Sequence, residues 1–139
     1  LLTVGTLSWV GEWRAIPVIA EGLQQQDLAS ASWAAAGVLH EQAVIGDPDG
    51  GLIMMDDSIT PMLPVVGADL DRVSAPFSGP RWDSTLEDPA LAEWLYVDRS
   101  GSGDAVSKAL ARNPEAAAEF RTVFRDGDVE VLRREGATR

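Results

Sequence analysis

Leu52-Ile53-Met54-Met55-Asp56-Asp57 is a short, continuous run of apolar residues that ends in two aspartates. The apolar residues do not alternate with polar ones, which is typical of a strand buried on both faces, as in a parallel sheet. Trp94-Leu95-Tyr96-Val97-Asp98 repeats the pattern further along the chain. The two runs therefore predict two interior strands of an α/β fold.

Helical segments are predicted around these strands. Asp27 and Ser30 are candidate N-caps of a first helix, which carries apolar residues at helical spacing and fades by Ile45. Trp33 and Trp94 are expected in the core. Gly46–Gly51 is a loop by composition, and Ser58 is a candidate cap for a short helix that ends at Gly67.

Later elements alternate in the same way. We expect a weak strand over Leu70–Ala75, a loop over Pro76–Arg81 and a short helix over Leu86–Glu93. Asp104 is expected to cap a further helix, and Asn113-Pro114 opens another one that runs through Phe120.

The C-terminal part carries the strongest hairpin signal, because Asp126-Gly127 lies between two segments of alternating residues. The order of elements favours an α/β fold. It predicts a three-layer sandwich with a small mixed, mostly parallel sheet and a C-terminal β-hairpin.

The 139 residues are enough for one domain with a real core. We expect residues 1–26 to form a leading segment after an apolar region, residues 27–134 to form a single α/β domain, and residues 135–139 to fray.

Leu1–Val10 is apolar, lacks Met, and precedes the first charged residue, Glu12. This pattern predicts a fragment of a longer polypeptide, cut near an apolar segment that is too short to cross a bilayer. The alternative is that Leu1–Val10 is a buried strand of an ordinary soluble protein. Trp9 and Trp13 could lie at a membrane interface.

Charge is distributed unevenly along the chain, whose formal net charge is −11. Residues 1–98 hold three basic and fifteen acidic groups, whereas residues 99–139 hold eight basic and seven acidic groups. Phosphate backbones would be repelled by the first part, which argues against nucleic-acid binding. An acidic stretch that is poor in Lys and Arg also suits the outer side of a membrane.

Three aspartates form the first candidate ligand site. Asp56, Asp57 and Asp98 follow the carboxyl ends of two predicted strands, where ligands bind in open α/β sheets. Grouped carboxylates could hold Mg²⁺ or accept a proton. The alternative is that Asp57 or Ser58 caps a helix and Asp98 starts a turn. We favour this alternative, and we therefore expect no metal and no cofactor.

Phe77, Arg81 and Trp82 form the second candidate site. They lie in a predicted loop rich in Pro and Gly, where the indole of Trp82 could stack on a sugar or a partner surface. Packing of Trp82 in the core is the alternative. Zinc is disfavoured because the chain has no Cys and a single histidine, His40.

Several segments together resemble one protein family. Trp13–Gly22 resembles the segment that leaves the last transmembrane helix of bacterial polytopic glycosyltransferases, the mannosyltransferase-like enzymes that use polyprenyl-phosphate sugars. Their C-terminal extracytoplasmic domains are similar to this chain in the order and spacing of four further segments, which are Leu52–Asp57, Met62–Gly67, Trp94–Asp98 and Val123–Val131.

The resemblance implies an extracytoplasmic domain of an actinobacterial-type membrane glycosyltransferase. In that family the catalytic carboxylates lie in loops between early transmembrane helices, so no catalytic residue is assigned in this chain. The implied partners are the rest of the parent membrane protein and a glycan or a polyprenyl-phosphate sugar. Two alternatives stay open: a stand-alone α/β enzyme with a carboxylate or metal site at the strand edge, and a protein or carbohydrate interaction module.

Overall fold

A five-stranded mixed sheet forms the centre of the fold in the computed structural model, which describes residues 31–56 and 68–136. The spatial order of its strands is β2-β1-β3-β5-β4. β1 is parallel to both β2 and β3, and β5 is antiparallel to both β3 and β4. The strands are β1 (Leu52–Met54), β2 (Val73–Ser74), β3 (Ala92–Asp98), β4 (Phe120–Asp126) and β5 (Val129–Arg134).

Helices connect these strands. The helix α1 covers residues 31–39 and continues as a π-helix over His40–Ile45. Single 3₁₀ turns cover Leu70–Arg72, Pro76–Ser78 and Pro89–Leu91. The remaining helices are α2 (Pro80–Glu87), α3 (Ala105–Arg112) and α4 (Pro114–Ala117).

Side chains from the two faces of the sheet enter two separate cores. Successive residues of a strand point to opposite faces, so Ile53 joins one core and Met54 the other. The first core packs the sheet against α1 through Leu39, Trp94 and Tyr96, among others. The second packs it against α2 and α3 through Trp82, Leu95, Val97, Val106 and Leu110. Helices therefore cover both faces, and the predicted α/β sandwich is confirmed.

A charged network fixes the loop between α1 and β1. Glu93 is 1% exposed, accepts a hydrogen bond from the Gly51 amide at 2.7 Å, and pairs with Arg133 at 3.1 Å. Arg72 donates to the carbonyl oxygens of Gly51 and Ala43 at 3.1 and 2.9 Å. The guanidinium of Arg133 lies 4.9 Å from the ring centroid of Trp94, a cation–π distance. A loop that composition alone would leave loose is thus tied to β3 and β5.

The predicted terminal hairpin is confirmed, but its turn lies one residue later than the predicted Asp126-Gly127. The two connecting residues are Gly127 and Asp128, and Gly127 has a φ of 61°. A glycine with positive φ at the first loop position is the type II′ pattern, which matches the twist of paired strands. The register of β4 shifts at Val123, so the outer strand of the hairpin carries a bulge.

Three predicted boundaries are wrong. Instead of the expected helix over Leu86–Glu93, α2 begins at Pro80, since proline is tolerated in the first turn of a helix, and ends at Glu87. A 3₁₀ turn and the start of β3 cover the rest of the expected range. The expected strand over Leu70–Ala75 is reduced to Val73–Ser74. The helix at Pro114 ends at Ala117, and Phe120 already belongs to β4.

The sequence predicts Trp33 in the core with Trp94, but its side chain is 53% exposed, and this prediction is wrong. Trp33 is close in sequence to the buried residues Ala35 and Ala36, but it lies on a different side of α1. The predictions for residues 1–30, Asp57–Gly67 and the last three residues of the tail lie outside the described residues. The described residues all belong to one compact unit, Ala31–Arg139.

Leu95 and Leu91 test the second core as a matched pair. Leu95 is completely buried and Leu91 is 52% exposed, although they are four residues apart. Replacing Leu95 by Ala should lower the free energy of unfolding by about 2–5 kcal/mol, because it leaves a cavity. Leu91→Ala should change it by less than about 0.5 kcal/mol. Urea unfolding followed by Trp fluorescence measures both, and equal effects would contradict the assignment.

Candidate functional site

Two of the three predicted carboxylates lie at the same edge of the sheet. Asp56 follows β1 and Asp98 ends β3, and the two strands are parallel neighbours, so their carboxyl ends coincide. Asp56 is 8% exposed and Asp98 is 6% exposed. The third predicted residue, Asp57, lies outside the described residues. The structure adds Asp104, which is 3% exposed at the start of α3.

Both predicted carboxylates accept hydrogen bonds from the chain itself. Asp56 Oδ2 accepts from the Ala105 amide at 3.0 Å, at the first position of α3. Asp98 Oδ1 accepts from the Ser100 amide at 2.9 Å and from the Ser100 hydroxyl at 2.6 Å. Asp98 therefore starts a turn, as the alternative from the sequence proposed. Asp56 instead accepts from the N-terminus of α3, a role that the sequence did not suggest, and the proposed cap at Asp57 or Ser58 lies outside the described residues.

Asp104 links the end of β3 to α3. Its Oδ1 accepts from the Ser107 amide at 2.8 Å, and its Oδ2 accepts from the Asp98 amide at 3.0 Å. The pKa of Asp104 is raised to about 6, chiefly by burial and in smaller part by the nearby carboxylates of Asp56 and Asp98, while the two amide hydrogen bonds oppose the rise. The predicted N-cap is thus confirmed, and its carboxyl group costs stability when it is ionised.

The loop Ser100–Asp104 connects β3 to α3 and contains two glycines with positive φ. In principle its amides and the N-terminus of α3 could hold an anion. The amides of Ser100, Ala105 and Ser107 instead donate to the chain's own carboxylates. Within residues 31–56 and 68–136, no group of three or more His, Cys, Asp or Glu side chains is arranged to hold a metal ion.

The pair Trp82 and Phe77 does not form a stacking platform with Arg81. The Trp82 side chain is 9% exposed and packs in the second core, so its faces are occupied. Phe77 is 51% exposed. Arg81 donates to the carbonyl oxygens of Val73 and Leu70 at 2.8 and 3.1 Å, and so ties the turn before β2 to α2. Trp82 begins a buried helical face instead of lying in a loop, because α2 starts at Pro80.

The sequence did not suggest a second polar cluster, which lies on the terminal hairpin. Glu130 is 5% exposed in β5 and accepts from Arg99 Nε at 2.7 Å, from Arg125 at 3.3 Å and from the Thr122 hydroxyl at 3.2 Å. Burial alone would raise the pKa of Glu130, but the hydrogen bonds and charges of Arg99 and Arg125 outweigh it and hold the pKa below its ordinary range.

One signal for this cluster was present in the sequence. Glu130 is a single charge inside the apolar run Val129–Leu132, which is unusual for a strand whose neighbours are buried. Its partner Arg99 is 31 residues away in sequence, and no local pattern connects the two. The register of the hairpin places Arg125 directly opposite Glu130.

Comparison of the chain with protein-family models, with curated proteins and with solved structures found no match. Within residues 31–56 and 68–136, no helix has both the length and the apolar character that a membrane crossing requires.

The titration of Asp104 can be tested with Asp104→Ser, which keeps an N-cap oxygen and removes the carboxyl group. Because the pKa is raised in the folded state, the contribution of Asp104 to stability is present at low pH and is lost as pH rises to about 6. The stability of the wild type relative to Asp104→Ser should fall by about 1–3 kcal/mol between about pH 4 and pH 7.

Urea unfolding of both proteins at each pH measures this difference. Taking the difference between the two proteins removes the contribution of Glu130, whose arginine partners are the same in both. A difference that stays constant with pH, or that grows as pH rises, would contradict a raised pKa.

Proposed function

We propose that this chain is a non-catalytic extracytoplasmic domain of a membrane-embedded glycosyltransferase, on the outer side of the cell membrane, where it contacts the acceptor glycan or the lipid-linked sugar. The transfer chemistry then belongs to the rest of the parent protein. The order and spacing of the segments from Trp13 to Val131 support the family. The strongest structural support for a non-catalytic role is the use of Asp56, Asp98 and Asp104 as hydrogen-bond acceptors for the chain's own amides.

The same observation weighs against a stand-alone metal enzyme. A catalytic carboxylate must present an oxygen to a metal or substrate, and Asp104 uses both of its oxygens on backbone amides. Asp98 Oδ1 and Asp56 Oδ2 already accept hydrogen bonds from the Ser100 and Ala105 amides, so a cation bound to these oxygens would compete with those amides.

Thermal melting with and without Mg²⁺ separates the two roles of Asp56. If Asp56 serves the N-terminus of α3, Asp56→Ala should destabilise the protein by about 1–2 kcal/mol, and Mg²⁺ should leave the melting temperatures of both proteins unchanged. If Asp56 is a metal ligand, Mg²⁺ should raise the wild-type melting temperature, and Asp56→Ala should abolish the rise. Asp83→Ala is a matched control, because Asp83 is an exposed aspartate in the first turn of α2.

The membrane parent can be tested directly on the full open reading frame. We expect that frame to encode repeated apolar stretches of about twenty residues upstream of this chain. We also expect its product to sediment with membranes and to transfer sugar from a polyprenyl-phosphate donor. The isolated chain should show no transfer with the same donor. A parent product found in the soluble fraction, or turnover of the donor by the isolated chain, would contradict the proposal.

A further inference from the structure

An open groove lies between the terminal hairpin and the helices α3 and α4. Its volume is about 500 Å³, within the range of small-molecule sites. One wall is formed by Leu110 of α3 and Ala117 of α4, and the floor continues over Phe120 and Leu132 of the hairpin. This groove is separate from the carboxyl edge of β1, where Asp56 lies.

The polar residues of the groove carry both signs of charge. Arg99, Arg125, Asp128 and Glu130 line it, and their formal charges sum to zero. The Thr122 hydroxyl lies on the same floor. Side chains of Arg99 and Arg125 are 43% and 61% exposed, whereas that of Glu130 is 7% exposed. Glu130 therefore orients the two guanidinium groups, while much of each arginine still faces the groove.

This arrangement fits a ligand that both donates and accepts hydrogen bonds and carries no net charge. A phosphate or carboxylate would gain from the arginines but would be repelled by Asp128 and Glu130. A sugar hydroxyl can donate to a carboxylate and accept from a guanidinium at the same time. The apolar wall and the ring of Phe120 suit the C–H face of a sugar ring.

We infer that the groove between the hairpin and the helices α3 and α4 is a binding site for a neutral saccharide. Arg99 and Arg125 donate to its hydroxyl groups, and Asp128 and Thr122 complete the polar side. Glu130 is a positioning residue, which acts by holding the two arginines. The saccharide site deepens the proposed function, and it depends on that function only for the role of the bound sugar in the parent protein.

The experiment is an NMR titration of the ¹⁵N-labelled full chain with maltose, cellobiose, mannobiose and xylobiose, and separately with inorganic phosphate. We expect at least one saccharide to shift the backbone signals of the hairpin and the side-chain Nε–Hε signals of Arg99 and Arg125. Arg125→Leu should weaken that binding about tenfold or more, because it removes charged donors. Phosphate should shift these signals less than the saccharide does.

Arg121→Leu is the matched control, since Arg121 is an exposed arginine of the same strand and does not line the groove. It should leave the affinity unchanged. Thr122→Val is a second test that keeps side-chain volume, and it should weaken binding without unfolding the hairpin. The amide spectrum of each variant reports whether the protein is folded.

Three results would overturn the saccharide site: no shifts with any of the four sugars, shifts located outside the groove, or stronger binding of phosphate than of sugar at the two arginines. Each of these is read on the isolated chain. They leave the membrane sedimentation and transfer activity of the parent unaffected, so failure of the site and failure of the proposed function are separate outcomes.

Discussion

The N-terminus of α3 is the point on which the carboxyl edge of the sheet depends. Asp56 from the end of β1 and Asp104 from the loop after β3 accept hydrogen bonds from amides of the first turn of α3, and Asp104 also accepts from Asp98. Three buried carboxyl groups are thus held close together, with a cost that is visible in the raised pKa of Asp104. Hydrogen bonds from the amides offset that cost, because buried amides at the start of a helix would destabilise the fold if they had no acceptors.

Buried glutamates elsewhere in the fold are also paired with donors from the chain. Glu93 holds Gly51 and Arg133 at the amino end of β3, and Glu130 holds Arg99 and Arg125 on the hairpin. The difference lies in exposure: Arg99 and Arg125 extend from the buried Glu130 toward an open groove. For this reason we connect ligand binding with the hairpin groove, and fold maintenance with the aspartates at the sheet edge.

Much of the fold could be predicted because its signals are local. The apolar runs at β1 and β3, the cap at Asp104 and the Gly127 turn each depend on neighbouring residues. The start of α2 was missed because a Gly-Pro pair at positions 79 and 80 is typical of a loop as well as of a helix start. The groove could not be predicted, since it depends on Glu130 meeting Arg99 across 31 residues and on the register of the hairpin.

At the edge of the sheet, the carboxylates of Asp56 and Asp104 accept hydrogen bonds from the first turn of α3, and we hold that this is their role. The most direct test is the NMR scalar coupling through the hydrogen bond between the Ala105 amide nitrogen and the Asp56 carboxyl carbon, recorded with and without Mg²⁺. We predict a measurable coupling that Mg²⁺ does not change. Its absence from the metal-free protein, or its loss when Mg²⁺ is added, would contradict the account.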